Sequence, residues 1–328
     1  MKKELLFMAT AALAISGCTM QEVDDVAATP REPIQFEQFI GKATRADDVT
    51  TTTLDRFRVL GKWFKDFEGE EGDIDITVTK SGSGWTYSNT LYWEEGTKYC
   101  FTATNHFGDP YSDDFKFIGM QDENYYIQNS RYCTLTTFDL VTAVCPMITG
   151  KASGNDAVSF NFKHALAKVQ FTFENGYADD TKVLISSPML EGVSNTASFE
   201  HQNGKDFEWQ LTSGQSSQEM DDITFAQQGE SQTRTTYVLP QNVHSYEVKG
   251  HELTFYLSVT GTSIEYKEIR IIMPSNVISK WEAGRAYNYK IAIGPETSEQ
   301  EEMKFEVSVG DWGSPDDVSL DDVEVGLD

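Results

Sequence analysis

The chain has 328 residues, with 52 Asp and Glu against 26 Lys and Arg and a formal net charge of −26. That balance argues against nucleic acid or anionic lipid headgroups as partners, because phosphate binding needs clustered Lys and Arg. The length accommodates two domains, and 12% aromatic residues with many Val, Ile and Thr supply material for β cores, not for a disordered chain.

Lys2 and Lys3 precede an apolar run from Leu5 to Ile15, too short for a mature membrane span of about 20 residues, so it reads as a targeting segment. The run ends in Ile15-Ser16-Gly17-Cys18, which resembles the lipobox of bacterial lipoproteins. That resemblance implies removal of residues 1–17, lipidation of the Cys18 thiol and attachment to outer-membrane lipid. The acidic QEVDD that follows is similar to surface-export tags of some Gram-negative lipoproteins. Cys100, Cys133 and Cys145 remain, an odd number that cannot form a closed disulfide framework. Cys100, in KYCFTATN, reads as a buried strand residue, and a Cys133–Cys145 bridge stays open.

Residues 18–45 form a leader: a polar tether from Thr19 to Arg31, then PIQFEQFI, where Ile34, Phe36 and Ile40 share one face with Gln38. Period-two spacing of this kind marks a strand with one buried side. GKATRADDVTTTT follows, with the chemistry of an exposed linker, the kind of segment a protease binds in extended form.

From Leu54 onward, LDRFRVLGKWF, DIDITVTK, WTYSNTLYW, KYCFTATNHF and DFKFIGM are short alternating runs separated by clusters such as EGEEGD and KSGSG. Such punctuation predicts an antiparallel sandwich or barrel. TLTTFDLVTAVCPMI, 134–148, suits a strand or a brief helix, and KASGNDA, 151–157, marks a candidate junction between domains at 46–152 and 153–328. Further strands are expected at VSFNF, AKVQFTFE, TKVLIS, TYVLP, ELTFYLSV, YKEIRIIMP, AYNYKIAI and MKFEVSV, whereas LTSGQSSQEMDD, 211–222, reads as a loop. In the tail, 316–328, Val318 and Leu320 alternate, then Val323, Val325 and Leu327 alternate in the opposite phase. An added residue at Asp321-Asp322 would make this a two-part strand with a bulge.

The sequence offers no basis for an enzyme or a bound cofactor. HExxH, GxSxG, P-loop and GxGxxG patterns are absent, and no CxxC accompanies the five scattered histidines to suggest a metal site. The acidic pairs Asp24-Asp25, Asp47-Asp48, Asp113-Asp114 and Asp221-Asp222 sit in polar runs, without the apolar pocket a catalytic acid needs. GDWGSPDD lacks EF-hand spacing, and His164 is expected at a domain edge with a hydrogen-bond partner.

Several segments in order carry a wider likeness: the Cys18 lipobox, PIQF followed by ATRA, LYWEEGTKYCFTATNHF, FDLVTA, SFNFKHALAKVQFTF, YVLPQ, WEAGRAYNYKIAI and FEVSVGDW. Together they resemble the fimbrillin family of anaerobic Gram-negative bacteria, the type V pilins. The resemblance implies two tandem transthyretin-like antiparallel β-sandwich domains. It also implies an Arg-specific protease that cuts after Arg45, makes Ala46 the mature N-terminus and releases the strand carrying Ile34, Phe36 and Ile40. The C-terminal strand of another pilin subunit then fills the vacated groove. Val318, Leu320, Val323, Val325 and Leu327 are the candidate donor residues. The expected localisation is an outer-membrane lipoprotein precursor and then a cell-surface fimbria, with a shaft position favoured because a shaft subunit needs both a removable leader and a donor tail. The alternative is a surface lipoprotein that binds glycans beside an uptake system, with Trp63, Trp85, Trp93 and Trp209 as stacking platforms.

Overall fold

The computed structural model describes residues 31–40, 49–50, 52–65, 69–109, 111–119, 125–134, 138–151, 153–212, 215–243, 250–294, 302–311 and 314–326. For Phe39 and from residue 302 onward it describes the backbone alone. Cys18, Arg45, Ala46 and Leu327 lie outside these residues. Among the described residues every regular element is a β-strand, so the expected all-β class holds.

An eight-stranded sheet uses β1 (Phe36–Ile40), β2 (Arg56–Phe64), β3 (Glu71–Ser81), β4 (Gly84–Tyr87), β5 (Lys98–Thr104), β8 (Val141–Val144), β9 (Ile148–Thr149) and β10 (Val158–His164). Its order is β1-β10-β8-β5-β2-β3-β4, with β9 added beside β5. A four-stranded sheet joins β6 (Lys116–Gly119) and β7 (Tyr125–Cys133) to β13 (Thr196–Gln202) and β14 (Glu208–Leu211).

Two further sheets enclose a separate core. One runs β15 (Gln215–Glu219), β12 (Val183–Ser194), β19 (Glu252–Val259) and β20 (Lys267–Ile272), with β16 (Ile223–Phe225) also on β12. The other runs β17 (Ser231–Val238), β11 (Ala167–Asn175), β22 (Arg285–Ile293), β23 (Glu302–Asp311) and β24 (Ser314–Gly326). A short pair, β18 (Gln241–Asn242) and β21 (Lys280–Trp281), completes the set.

Alternation builds these layers. In β10 the even-numbered Val158, Phe160, Phe162 and His164 are buried while Asn161 and Lys163 are exposed. Phe173 of β11 meets Phe255 of β19 edge-on at 5.5 Å, one contact across the core between the last two large sheets. The buried Trp281 indole donates to the Tyr289 hydroxyl at 2.9 Å, so a large polar-tipped ring is buried without losing its hydrogen bond.

Three expectations meet particular outcomes. Residues 134–148 supply β8 and the start of β9, and no helix occurs among the described residues of this stretch. Within 211–222, expected as a loop, Gln215–Glu219 instead form the strand β15, which pairs with β12 and whose one buried side chain, Gln218, donates to the Thr134 carbonyl at 2.9 Å. Backbone pairing and a single buried amide replace the apolar alternation that the sequence lacks there. β10 lies beyond the candidate junction at 152–153 but belongs to the same sheet as β1–β5, and the four-stranded sheet draws on chain from both sides of it.

Candidate functional site

β1 is an edge strand that behaves as part of the core. Its buried residues are Ile34 just upstream, Phe36, Gln38 and Ile40. The Phe36 ring lies 5.3 Å from Tyr87, 5.6 Å from Phe101 and 5.8 Å from Phe160. Burying two isoleucines and a phenylalanine contributes roughly 5–9 kcal/mol before the cost of ordering the strand.

The backbone of this segment is held on both sides. β1 runs parallel to β10, with Phe36 opposite Val158 and Ile40 opposite Phe162, and the Val158 amide donates to the Gln35 carbonyl at 2.8 Å. On the far side the Ile34 amide donates to Leu91 at 2.8 Å, the Tyr87 hydroxyl to the Ile34 carbonyl at 2.6 Å, and the Trp93 amide to Glu32 at 2.9 Å. The segment 32–40, β1 with the residues just before it, therefore bridges from β10 to Tyr87 of β4 at the other end of the sheet. The register of β10 with β8 covers only Lys163 and His164, so β1 is the ladder partner of Val158–Phe162. Without β1 those backbone groups and the Phe36 site would open to water.

Beyond Ile40 the chain is described again at Val49, whose amide donates to Asp139 Oδ2 at 3.0 Å. Asp139 is buried, and both its carboxylate oxygens contact His164 Nδ1, at 3.0 and 3.1 Å. His164 thus has the hydrogen-bond partner expected for it, and the same carboxylate anchors the chain on the far side of Arg45. Sequence reasoning missed Asp139; the signal was an acid inside the apolar FDLVTA, a position a charge occupies only when paired.

The tail forms a hairpin within its own chain. β24 is antiparallel to β23, with Val318, Leu320, Val323 and Val325 opposite Val309, Val307, Phe305 and Met303. The register shifts between Phe305 and Val307, which sets Asp321 and Asp322 against Glu306 alone. Two residues facing one is a β-bulge, placed where the sequence changes phase. Two edge strands from the ends of the described chain, β1 and β24, thus belong to different sheets.

Other candidates fall away. Trp93 is buried, and Trp63, Trp85 and Trp209 are partly buried against the cores, so none forms an open sugar platform. The Trp209 indole is committed to the Ala165 carbonyl at 3.0 Å. Cys100, Cys133 and Cys145 are buried and none is joined in a disulfide, and burial pushes the Cys145 thiol up to about 12, far from a reactive thiolate. Burial also lowers His201 to about 4, aided by the nearby charge of Lys163, so this imidazole is neutral at pH 7 and shares a hydrogen bond with Thr142 at 2.8 Å.

A family model described as fimbrillin-like matches residues 44–312. Among solved structures, a candidate cell adhesion protein from Bacteroides ovatus aligns with a TM-score of 0.50 and 16% identity, covering 86% of this chain and 98% of its own. A similar candidate adhesion protein from Bacteroides uniformis gives 0.49 and 17%, over 86% and 99%. The fimbrial anchor protein Mfa2 from Porphyromonas gingivalis gives 0.34 and 10%, over 85% and 98%. At 16% identity the likeness to the Bacteroides ovatus protein speaks to fold alone. No curated protein matches the sequence.

Proposed function

The chain belongs to the fimbrillin-like family, whose role is structural and adhesive, and from that premise we propose that it is a pilus subunit polymerised by exchange of edge strands. In this reading it is exported as a lipoprotein through Cys18 and folds with β1 in place as two transthyretin-like sandwiches. An Arg-specific protease then cuts after Arg45. Ala46 becomes the mature N-terminus, β1 leaves, and the C-terminal strand of another subunit enters the slot. The product is a cell-surface fimbria, with this chain in its shaft.

The observation that carries the reading is the position of β1: an edge strand with buried side chains, lying just upstream of an arginine in linker sequence. Leaving the slot empty exposes a hydrophobic groove and unpaired amides, which favours addition of another strand. Keeping β1 attached until export is complete prevents early assembly.

Limited digestion with an Arg-specific protease, followed by an unheated denaturing gel, tests the proposal. A single new N-terminus at Ala46 together with a ladder of oligomers is the expected result. Complete cleavage at Arg45 that leaves only monomer under assembly conditions would reject it.

A further inference from the structure

In a chain of net charge −26, one cavity is lined by more basic than acidic side chains. It has a volume of about 540 Å³, and Lys163, Lys205, Lys280 and Arg285 line it together with Asp206 and Glu282. The three lysines are exposed and form no ion pair among the described residues. Elsewhere Lys62, Lys65 and Arg58 each face two carboxylates within 4.0 Å. Acids outnumber bases twofold in the chain, whereas four basic side chains here face two carboxylates, an excess of positive charge around one opening.

The position of the cavity is as telling as its charge. Phe162, the last β10 residue paired with β1, lines it beside Lys163 and His164. The slot occupied by β1 therefore runs into the basic cavity, and any strand replacing β1 has one end there.

We infer that this cavity docks the acidic flank of the C-terminal strand of a second copy of the chain while that strand enters the slot, an inference that rests on the strand-exchange reading above. β24 carries Asp316, Asp317, Asp321, Asp322 and Glu324 and contains no lysine or arginine. If it runs in the direction of β1, the Glu324 end reaches the lysines; if it runs the other way, Asp316 and Asp317 do. Either orientation presents carboxylates to the cavity.

The charge solves a problem of encounter. Two subunits of this charge repel at long range, but within a Debye length of about 8 Å at physiological salt the lysines dominate what an approaching tail meets. Such complementarity acts mainly on the association rate.

The test uses Arg45-cleaved protein freed of its leader and a synthetic peptide of residues 314–328, with association followed at low salt and in 1 M NaCl. The comparison is the triple variant Lys163→Glu, Lys205→Glu, Lys280→Glu, with unchanged thermal unfolding as its control for folding. Peptide association should slow by about tenfold or more at low salt in the variant, converge with wild type at high salt, and leave dissociation nearly unchanged. Equal association of both proteins at low salt would overturn the docking role and leave strand exchange standing. Peptide binding by neither would overturn both. A carboxylated glycan whose binding is lost in the variant, with peptide association unaltered, would reassign the cavity to a sugar acid.

Discussion

β1 and β24 are both edge strands, but β1 is held by β10 and the residues just before it, Glu32 and Ile34, are held by residues 91–93 and Tyr87, whereas β24 pairs with β23 alone among the described residues. The side chains of β1 are integral to a core, and its removal opens that core. β24 adds to the outside of a hairpin, so its departure leaves the inner strands β11 and β22 paired. Under the proposed strand exchange the difference separates two tasks. A strand that seals a groove must be bound tightly and removed by an irreversible cut; a strand that is to be donated must come away from its own subunit at small cost.

The largest effect expected from breaking this asymmetry is at the cut itself. Arg45→Ala should leave a lipidated monomer and abolish the oligomer ladder on gels, and fibres of normal length from that variant would remove the central step. Deleting residues 316–328 comes next. Cleavage should proceed at the normal rate and the subunit should keep its fold, yet end-to-end assembly should stop, as read by the same gel and by electron microscopy.

Phe36→Ala should destabilise the uncut precursor by about 3–5 kcal/mol, because it empties a site walled by aromatic rings, and should leave the cut subunit unchanged. Denaturant unfolding before and after proteolysis separates the two states. The smallest effect is one that both states should share. His201 is held near 4 against an ordinary 6.5, so the unfolded chain takes up its proton first as pH falls. Stability is full above pH 6.5 and declines toward pH 4, by roughly 2 kcal/mol between pH 7 and pH 5. His201 lies in β13 and shares its hydrogen bond with Thr142 of β8, both of which stay in the cut subunit, so precursor and cut subunit should lose the same amount, and His201→Gln should flatten the slope in each.

Alternation made much of this legible in the sequence. Ile34, Phe36, Gln38 and Ile40 announce a one-faced strand, and the change of phase at Asp321-Asp322 marks the bulge that the β23 register contains. The partner of β1 was not legible. Its parallel pairing with β10 joins segments far apart in the chain, and local spacing says which face is buried without saying against what. β15 was hidden for the opposite reason, since QSSQE has no apolar period and becomes a strand through the ladder that β12 offers it. The anchoring of Val49 by Asp139, and of Asp139 by His164, is likewise a tertiary fact that only an acid in apolar surroundings hints at.

Hydrogen exchange at the amides of Val158, Phe160 and Phe162 tests strand replacement most directly, because these alternate β10 residues face β1, as the Val158 amide does in donating to Gln35. Exchange should be slow in the uncut precursor, fast in cut monomer freed of its leader, and slow again in the polymer. Amides that stay protected in the freed monomer, or stay fast in the polymer, would contradict the account.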